Sequence, residues 1–473
     1  MKTFAVDEMA TACVQRVALA LTRLTGRRYG VGVGVGVEGG GGGSGGAFFG
    51  EKVARLDGTQ QPLWDAVSGD YRAGGTEHAD WIRIHANFSA HRAAALAVAN
   101  VHADADADAA IKPAVAAALA AWPAPAAVAA IERAGGCAAR LTPLSEWQAG
   151  ALHGLCRHAP LVSVRALPPA SAAARVPAAD ALSSPRASPR APLAGLRVLD
   201  LTRVLAGPTC TRILAAHGAQ VLHVSCEALD KLPSLDVITG VGKRSCVLDL
   251  KSASGREKLL ALIKDAHVFV QAYRPGSLDK LGLSPAALHA VNPSLIYASV
   301  SAYAVPGSLS LTDPTSSLDP LAVAQNPWAA RRGFDSLVQM TTGICHEGML
   351  DNGSDKPVPL PCQALDHATG WLVAAGILEA ICKRSGGFLV EASLVRTSVW
   401  LESLGKKEHD DDKFLKTLDG LMEQVKVRGV EGRVLTTLKH PIRCLDTNNE
   451  DNDEFDSILG PPEKLGIDEP EWL

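Results

Sequence analysis

Residues 196–301 alternate between two hydrophobic patterns, one typical of strands and one typical of helices. The runs Leu196-Arg-Val-Leu-Asp-Leu201 and His267-Val-Phe-Val-Gln271 are short and apolar, which favours buried strands. Between them, Lys258-Leu-Leu-Ala-Leu-Ile-Lys264 places apolar residues at the spacing of an amphipathic helix. The order strand, helix, strand, helix, strand predicts an α/β domain with a parallel sheet.

The loops that follow two of these strands predict a ligand site. Ala206 and Gly207 are small, and Pro208 stands at a helix start, so the chain turns sharply there. The later strand leads into the loop 272–282. Because open α/β sheets bind ligands at the carboxyl ends of their strands, we expect these two loops to form a site.

A third apolar run, Trp371–Arg384, predicts a long helix with cations in its last turn. A proline-rich approach over 357–361 precedes it, and the helix is expected to begin near Gly370. Asp366 then lies at or just before the helix N-terminus. On position alone Asp366 is an N-cap, because aspartate is among the best capping residues.

Composition divides the chain into four stretches. Residues 1–167 are rich in Ala and Gly, 168–192 form a Pro/Ala/Ser-rich linker, 193–400 carry the strand–helix alternation, and 401–473 form a short C-terminal segment. In the last stretch the charge run Lys406–Lys413 predicts a solvated loop.

The first stretch contains its own ordered elements. The alternation over Asp80–Phe88 predicts a strand, and the residues from His91 onward predict a helix. Two further helices are expected over Val115–Trp122 and Ala126–Ala134, the second ending at Gly135.

Charge and cysteine content exclude several classes of protein. The 473 residues are 47% hydrophobic and 20% charged, with a net charge of −4 and no basic block for nucleic acid. Ten cysteines without a C-x-x-C pair favour free thiols in a reducing compartment, so we expect a cytoplasmic protein, with mitochondrial and peroxisomal locations left open. No stretch is expected to span a membrane, because Pro113, Pro123 and Pro125 interrupt the longest candidate, Ile111–Ile131.

The strands and loops above resemble the family III CoA-transferases, which include formyl-CoA and carnitine CoA-transferases and α-methylacyl-CoA racemase. The resemblance covers about 200 residues and rests on five ordered motifs: 196–212, 267–282, 242–251, 332–339 and 366–370. It implies a Rossmann-like parallel sheet with a second, smaller α+β domain. The block Asp80–Trp147 is similar to the small domain of that family but precedes the sheet, which indicates a tandem or rearranged, eukaryotic-type member.

The resemblance also implies a site. Asp366 matches the catalytic aspartate of the family, which attacks an acyl-CoA thioester and carries CoA as an aspartyl thioester. The positions implied for CoA binding are Val204, Leu205, Ala206, Lys243, Tyr273, Lys280 and Arg332. Three of them are cations for the CoA phosphates, the Ala206 turn lets the backbone approach adenine, and Tyr273 can stack.

We therefore expect an enzyme that moves CoA from an acyl-CoA to a carboxylic acid, with CoA as substrate and no cofactor or metal. A homodimer is expected, and neither nucleic acid nor membrane is an expected partner. Two alternatives stay open. One is a 2-methylacyl-CoA racemase, against which Phe334 counts because that branch has histidine at this position. The other is a degenerate, non-catalytic CoA-binding homologue.

Overall fold

The computed structural model describes most of the chain. The described residues are 2–31, 55–56, 64–74, 80–102, 108–168, 187–189, 191–383, 386–408, 422–426, 434–438, 440–444 and 468–472. Most of the predicted linker over 168–192 and most of the charge run 406–413 lie outside them.

Seventeen strands form five sheets in this part of the chain. They are β1 Lys2–Phe4, β2 Tyr29–Val31, β3 Arg55–Leu56, β4 Gly69–Arg72, β5 Trp81–Ile84, β6 Ala138–Arg140, β7 Ser163–Ala166, β8 Arg197–Leu201, β9 Gln220–Ser225, β10 Arg244–Val247, β11 Val268–Gln271, β12 Ile296–Ser301, β13 Phe388–Ser393, β14 Lys406–Glu408, β15 Met422–Lys426, β16 Val434–Leu438 and β17 Ile442–Cys444.

The α-helices connect and cover these sheets. They are α1 Val6–Thr25, α2 Ser89–Ala99, α3 Asp108–Leu119, α4 Ala124–Arg133, α5 Leu144–Ala149, α6 Ala151–His158, α7 Ala206–Ala216, α8 Pro233–Thr239, α9 Ala253–Asp265, α10 Pro285–Val291, α11 Pro320–Gln325, α12 Asp335–Thr341, α13 Ile344–Asp351, α14 Ala364–Cys382 and α15 Leu394–Ser403. A short 3₁₀ helix spans Asp279–Leu281.

The central sheet has seven strands in the order β10-β9-β8-β11-β12-β13-β7. The six strands from β8 to β13 are parallel, and β7 joins at the β13 edge in the antiparallel direction. Counted from β8, the parallel strands read 3-2-1-4-5-6, which is the order of doubly wound dinucleotide-binding folds. Every residue of β11 and β13 is buried, as expected for a parallel sheet covered on both faces. The predicted α/β, Rossmann-like class is confirmed.

The central helix of the fold, α14, begins earlier than the sequence indicated. It starts at Ala364, seven residues before Trp371, and ends at Cys382. Its N-terminal turns carry Asp366, His367 and Thr369, which are buried although polar, so apolar content alone did not reveal them. Gly370 allows α14 to approach α7: a Cβ at this position would lie 2.5 Å from the Ala206 carbonyl oxygen.

No stretch was expected to qualify as a membrane span, but α14 is long and apolar enough to cross a bilayer by length and composition. Most of this helix, 89% of its most apolar 18 residues, is buried inside the protein. Helix α1 packs against it, and the Cys13 thiol lies 3.7 Å from the Ala368 carbonyl oxygen. A helix that is apolar on all sides is expected at the centre of a large core.

A smaller α+β unit stands beside the sheet. Strands β4, β5 and β6 form an antiparallel sheet, and α2, α3 and α4 pack on it around a separate apolar core that includes Tyr71, Ile82 and Ile131. The predicted strand over 80–88 is shorter than expected, and all of β5 is buried where alternation was expected. Helix α3 begins at Asp108 and contains Pro113.

Segments of both the N-terminal stretch 1–167 and the C-terminal stretch 401–473 pack on the central region of the fold. Residues 1–167 supply α1 and the edge strand β7, and the domain boundaries proposed from composition stay predictions. The expected solvated loop at Lys406 was wrong: β14 pairs with β1, and the Lys406 Nζ lies 2.6 Å from carboxylate oxygens of both Glu347 and Asp351.

Candidate active site

The loop after β8 adopts an unusual backbone path at the carboxyl end of the sheet. Val204 has a φ of 71°, a left-handed conformation that costs energy for a β-branched residue. Leu205 is the N-cap of α7, and Gly207 sits so close to Thr202 that a Cβ would lie 2.5 Å from the Thr202 Cβ. This path places Arg203 and Val204 beside the loop that follows β11.

A cavity of about 390 Å³ opens where these loops meet. Strands β8 and β11 are neighbours there, and the strand order reverses between them, which is the usual ligand position in this fold. The lining residues come from six segments of the chain: Phe88, Ala90 and His91; Cys137; Arg203 and Val204; Ala228, Leu229 and Asp230; Ala272, Tyr273, Arg274 and Ser277; and Arg332, Gly333 and Phe334.

Three guanidinium groups converge on this cavity, from Arg203, Arg274 and Arg332. Arg203 donates from Nη2 to the Asp230 carbonyl oxygen at 2.5 Å, and Arg274 donates from Nη1 to the Ala330 carbonyl oxygen at 3.1 Å. Among the described residues none of the three forms an ion pair with a carboxylate. The next arginine, Arg331, differs because Glu132 binds it at 2.5 Å. The three cations outnumber Asp230, a carboxylate that also lines the cavity, and they keep donors for an anion.

An aromatic cluster forms the opposite wall. Phe334 stacks face to face on His85, with ring centroids 3.6 Å apart and planes 6° apart. Phe88 lies 5.8 Å from Phe334, and the Arg203 guanidinium lies 4.7 Å from the Phe88 ring centre. Burial, with a smaller contribution from His91, lowers the pKa of His85 to about 3, so this ring is neutral at physiological pH. Flat apolar surface and positive charge thus meet in one cavity.

The small unit and the sheet are joined at the mouth of the cavity. The Ser89 backbone N–H donates to Asp230 Oδ2 at 2.7 Å, and the Ser89 hydroxyl donates to Asp230 Oδ1 at 2.9 Å. Because Ser89 is the first residue of α2, the Asp230 carboxylate satisfies one of the free N–H groups at the start of this helix.

Lys243 does not offer its charge to this cavity. Its Nζ lies 3.0 Å from Asp200 Oδ2 and 2.9 Å from the Pro208 carbonyl oxygen, and both charged side chains are buried. Thr202 and Thr211 also donate hydroxyls to the Asp200 carboxylate. Burial alone would raise the pKa of Asp200, but Lys243, His223 and these hydroxyls hold it below its usual value. Phosphate binding by Lys243 stays a prediction, and in this structure its ammonium group is paired with Asp200.

The other predicted CoA-binding positions divide into two groups. Val204, Tyr273 and Arg332 line the cavity, and Leu205 and Ala206 form the start of α7 beside it. Tyr273 also borders a second cleft that contains His223, Asp236 and Lys243. Lys280 is exposed in the 3₁₀ helix and lines neither cavity. The structure therefore brings together five of the seven positions predicted to bind CoA.

Asp366 lies in the first turn of α14, not before it, and is 7% exposed. Its backbone N–H donates to Asp335 Oδ2 at 2.9 Å. Asp366 does not line the 390 Å³ cavity, but Phe334, which does, directly precedes Asp335. One hydrogen bond and one peptide unit thus connect the predicted catalytic aspartate to the wall of the cavity.

Sequence reasoning missed several residues of the cavity. Arg203 and Arg274 lie two and three residues after their strands, inside loops already predicted to bind a ligand, so their position was a usable signal. Phe88, His91 and Cys137 come from the small unit, and only tertiary packing brings them to the sheet.

Comparison with known proteins gives a family. Residues 193–407 match the model described as CoA-transferase family III. This part of the chain belongs to the family III CoA-transferases. The match includes the loops after β8 and β11, α12 and the first turn of α14, and so covers the sheet side of the cavity together with Asp366.

Curated relatives carry matching names. An acyl-CoA transferase of Fusarium pseudograminearum is 32% identical over 232 residues, which cover 44% of this chain and 46% of that protein. A probable fatty acyl-CoA transferase, Rv3272 of Mycobacterium tuberculosis, is 32% identical over 42% of this chain and 49% of its own length. A formyl-CoA:oxalate CoA-transferase of Rhodopseudomonas palustris is 31% identical over 41% and 43%. The chain thus spans less than half the length of each of these relatives.

Among solved structures, that of Rv3272 is similar to 51% of this chain and 63% of its own, with 26% identity and a TM-score of 0.38.

Proposed function

We propose that the protein transfers CoA from an acyl-CoA thioester to a carboxylic acid. The observation that carries this proposal is the group of three arginines that line one cavity: Arg203 and Arg274 after β8 and β11, and Arg332 just before α12. Arginines without carboxylate partners are suited to bind phosphate, because the guanidinium group donates two parallel hydrogen bonds to it. The anionic groups of CoA supply such a ligand.

The rest of the cavity suits the remaining parts of an acyl-CoA. Tyr273 borders both clefts, so its ring can contact a ligand that extends from one to the other. Phe88, Phe334, Val204 and Ala272 give an apolar wall for the pantetheine arm and the acyl group.

Asp366 is proposed as the nucleophile. Its carboxylate attacks the thioester carbonyl carbon, the C–S bond breaks, and CoA thiolate leaves a mixed anhydride of Asp366 and the acyl group. The thiolate then attacks the aspartyl carbonyl carbon, which releases the acyl group as a carboxylate and leaves an Asp366–CoA thioester.

The second half repeats these steps with the acceptor. The acceptor carboxylate attacks the Asp366–CoA carbonyl carbon and expels CoA thiolate, and the thiolate attacks the acceptor carbonyl carbon of the new anhydride. The products are acceptor-CoA and free Asp366, so no oxidant, reductant or metal is consumed. Asp335 fixes the backbone of Asp366 at the start of α14.

Trapping the intermediate tests this proposal. The protein is incubated with an acyl-CoA and then with hydroxylamine, and the Asp366 peptide is analysed by mass spectrometry for an aspartyl hydroxamate. We expect the hydroxamate in the unchanged protein and in the Glu379→Gln variant, which alters a carboxyl group further along α14. It should be absent in Asp366→Asn. Transfer at the unchanged rate by Asp366→Asn would refute the assignment.

Proton exchange at the acyl α-carbon, the alternative activity, has weaker support. Phe334 cannot carry a proton, and the ring stacked on it, His85, is buried. In deuterated water without an acceptor acid, we expect no deuterium in a 2-methylacyl-CoA, and rapid incorporation would favour the racemase. The homodimer and the cytoplasmic location stay predictions.

A further inference from the structure

Gln339 is a buried polar residue of α12, one turn after Asp335, and 1% of its surface is exposed. Its Oε1 atom accepts the Leu360 backbone N–H at 2.8 Å. Because a backbone N–H can only donate, this contact fixes which way the amide faces. The Nε2 atom therefore faces the Asp335 carboxylate and donates to its Oδ1 atom. Both ends of the amide are used.

The Asp335 carboxylate lies between Gln339 and Asp366. Its Oδ1 atom accepts from the Gln339 amide, and its Oδ2 atom accepts the Asp366 backbone N–H at 2.9 Å. Gln363, the residue before α14, provides no side-chain cap, so a carboxylate from another helix satisfies a free N–H group of the first turn. A hydrogen bond at each oxygen fixes the plane of the Asp335 carboxylate.

Gln339 also holds the chain that leads to Asp366. Leu360 lies six residues before Asp366, within the proline-rich approach 357–361. One amide thus ties two segments to α12: the approach, through the Leu360 N–H, and the first turn of α14, through Asp335. All of these residues are buried, so water does not readily replace a lost contact.

We propose that Gln339 is a positioning residue for the nucleophile. Its amide orients the Asp335 carboxylate, which in turn fixes the backbone of Asp366. Chemistry needs near-attack geometry, and a misplacement of about 1 Å costs up to about a hundredfold in rate. Because Gln339 does not contact the substrate in this role, its loss lowers the rate of the chemical step and leaves acyl-CoA affinity unchanged. This inference rests on the proposed function, in which Asp366 attacks the thioester.

Initial rates of Asp366 hydroxamate formation test this role. Acetyl-, succinyl- and octanoyl-CoA are compared as donors, and the fastest is varied in concentration to give the maximum rate and the half-saturating concentration. Gln339→Met removes both hydrogen bonds. Gln339→Glu keeps the shape, and its carboxyl group donates to Asp335 only when it is protonated. The control Thr342→Val, at the end of the same helix, removes a buried hydroxyl that donates to the Val338 carbonyl oxygen at 2.8 Å.

The acidic variant makes the role visible as a pH dependence. Burial and the neighbouring Asp335 raise the pKa of a carboxyl group introduced at position 339, so its protonated form declines from pH 6 to pH 8. Two further titratable groups lie nearby and are the same in every variant: the Cys345 thiol, 3.9 Å from Gln339 Oε1, and Arg83, whose Nη1 lies 3.5 Å from that sulfur. Rates are therefore expressed relative to the unchanged protein at the same pH.

Gln339→Met should lower the maximum rate about tenfold or more at both pH values. Gln339→Glu should stay within about threefold at pH 6 and fall about tenfold at pH 8, and Thr342→Val should stay within about twofold. The half-saturating concentration should stay within about threefold throughout. Thermal unfolding at each pH checks that the variants are folded, and if Gln339→Met is not, the pH dependence of Gln339→Glu decides alone.

A pH-independent rate in Gln339→Glu would overturn the inference, as would an equal loss in Thr342→Val. A rise in the half-saturating concentration that matches the loss of rate would also overturn it, because Gln339 would then serve binding. These results differ from a failure of the proposed function itself, in which the unchanged protein forms no Asp366 hydroxamate with any of the three donors.

Discussion

Lys243 and the three cavity arginines lie at the same end of the sheet and differ in their partners. Lys243 is buried and ion-paired with Asp200, whereas Arg203, Arg274 and Arg332 face a cavity without a carboxylate partner. Arg203 and Arg274 follow β8 and β11, and Lys243 directly precedes β10. These cations and Arg332 all fall within motifs that predict ligand binding. A cation in a binding motif contributes to the fold when a buried carboxylate neutralises it, whereas a cation without such a partner keeps its hydrogen-bond donors for a ligand.

Removing Lys243, the buried and ion-paired cation, should have the largest effect on stability. Lys243→Ala leaves the Asp200 carboxylate buried and unpaired, so we expect the free energy of unfolding to fall by about 3–5 kcal/mol. Denaturant titration measures it. Lys280→Ala, at an exposed lysine, is the matched control and should change stability by less than about 0.5 kcal/mol. Similar losses of unfolding free energy in both variants would contradict a structural role for the Lys243–Asp200 pair.

Acid pH tests the contribution of His267, a buried histidine that is neutral at physiological pH. Burial lowers the pKa of His267 to about 4, and its Nδ1 accepts the Arg197 backbone N–H at 2.8 Å. The unfolded chain binds a proton at this residue below its ordinary pKa of 6.5, so stability is complete above that pH and falls until about pH 4.

At pH 5 the loss from His267 is about 2 kcal/mol, from 1.5 pH units below the ordinary pKa. Thermal unfolding at pH 7 and pH 5 measures it. His267→Asn keeps an acceptor for the Arg197 N–H and cannot titrate, so its stability should fall less between the two pH values. An equal fall would show that other groups cause the acid sensitivity.

The three cavity arginines should govern CoA binding and contribute little to stability. Arg332→Ala removes a cation that faces the cavity, so CoA affinity should fall about tenfold, near 1.4 kcal/mol, with the melting temperature unchanged. Calorimetry with CoA measures this. Arg331→Ala is the neighbouring control: its charge is bound to Glu132, and CoA affinity should change little. Equal losses of affinity would mean that general positive charge, not the cavity, binds the ligand.

The smallest effect is expected at the mouth of the cavity. Ser89→Ala removes one exposed hydroxyl contact to Asp230 and keeps the backbone hydrogen bond, so stability should fall by about 0.5 kcal/mol. Stopped-flow displacement of CoA gives its dissociation rate. Faster dissociation with equal stability would add a role in retaining the ligand, and a loss above about 2 kcal/mol would contradict the small effect expected.

The sequence predicted the sheet better than the site. The strands at 196–201 and 267–271 were placed within one residue, because continuous apolar runs mark parallel strands. The start of α14 was expected near Gly370 and was missed by six residues, since its first turns bury polar side chains. Arg332 and Tyr273 were predicted to bind CoA, and both line the cavity. That Lys243 pairs with Asp200, while Arg203 lines the cavity, depends on a tertiary contact that no local pattern contains.

The edge strand β7 has a consequence for how the chain folds during synthesis. Its partner β13 is made much later: Ala166 pairs with Phe388, a separation of 388 − 166 = 222 residues. At about 5–20 residues per second, the ribosome needs roughly 11–44 s to produce the partner after β7 has been made. Contacts of such long sequence separation slow folding. The segment carrying β7 must therefore wait, unpaired at this edge, until the last parallel strand of the sheet has left the ribosome.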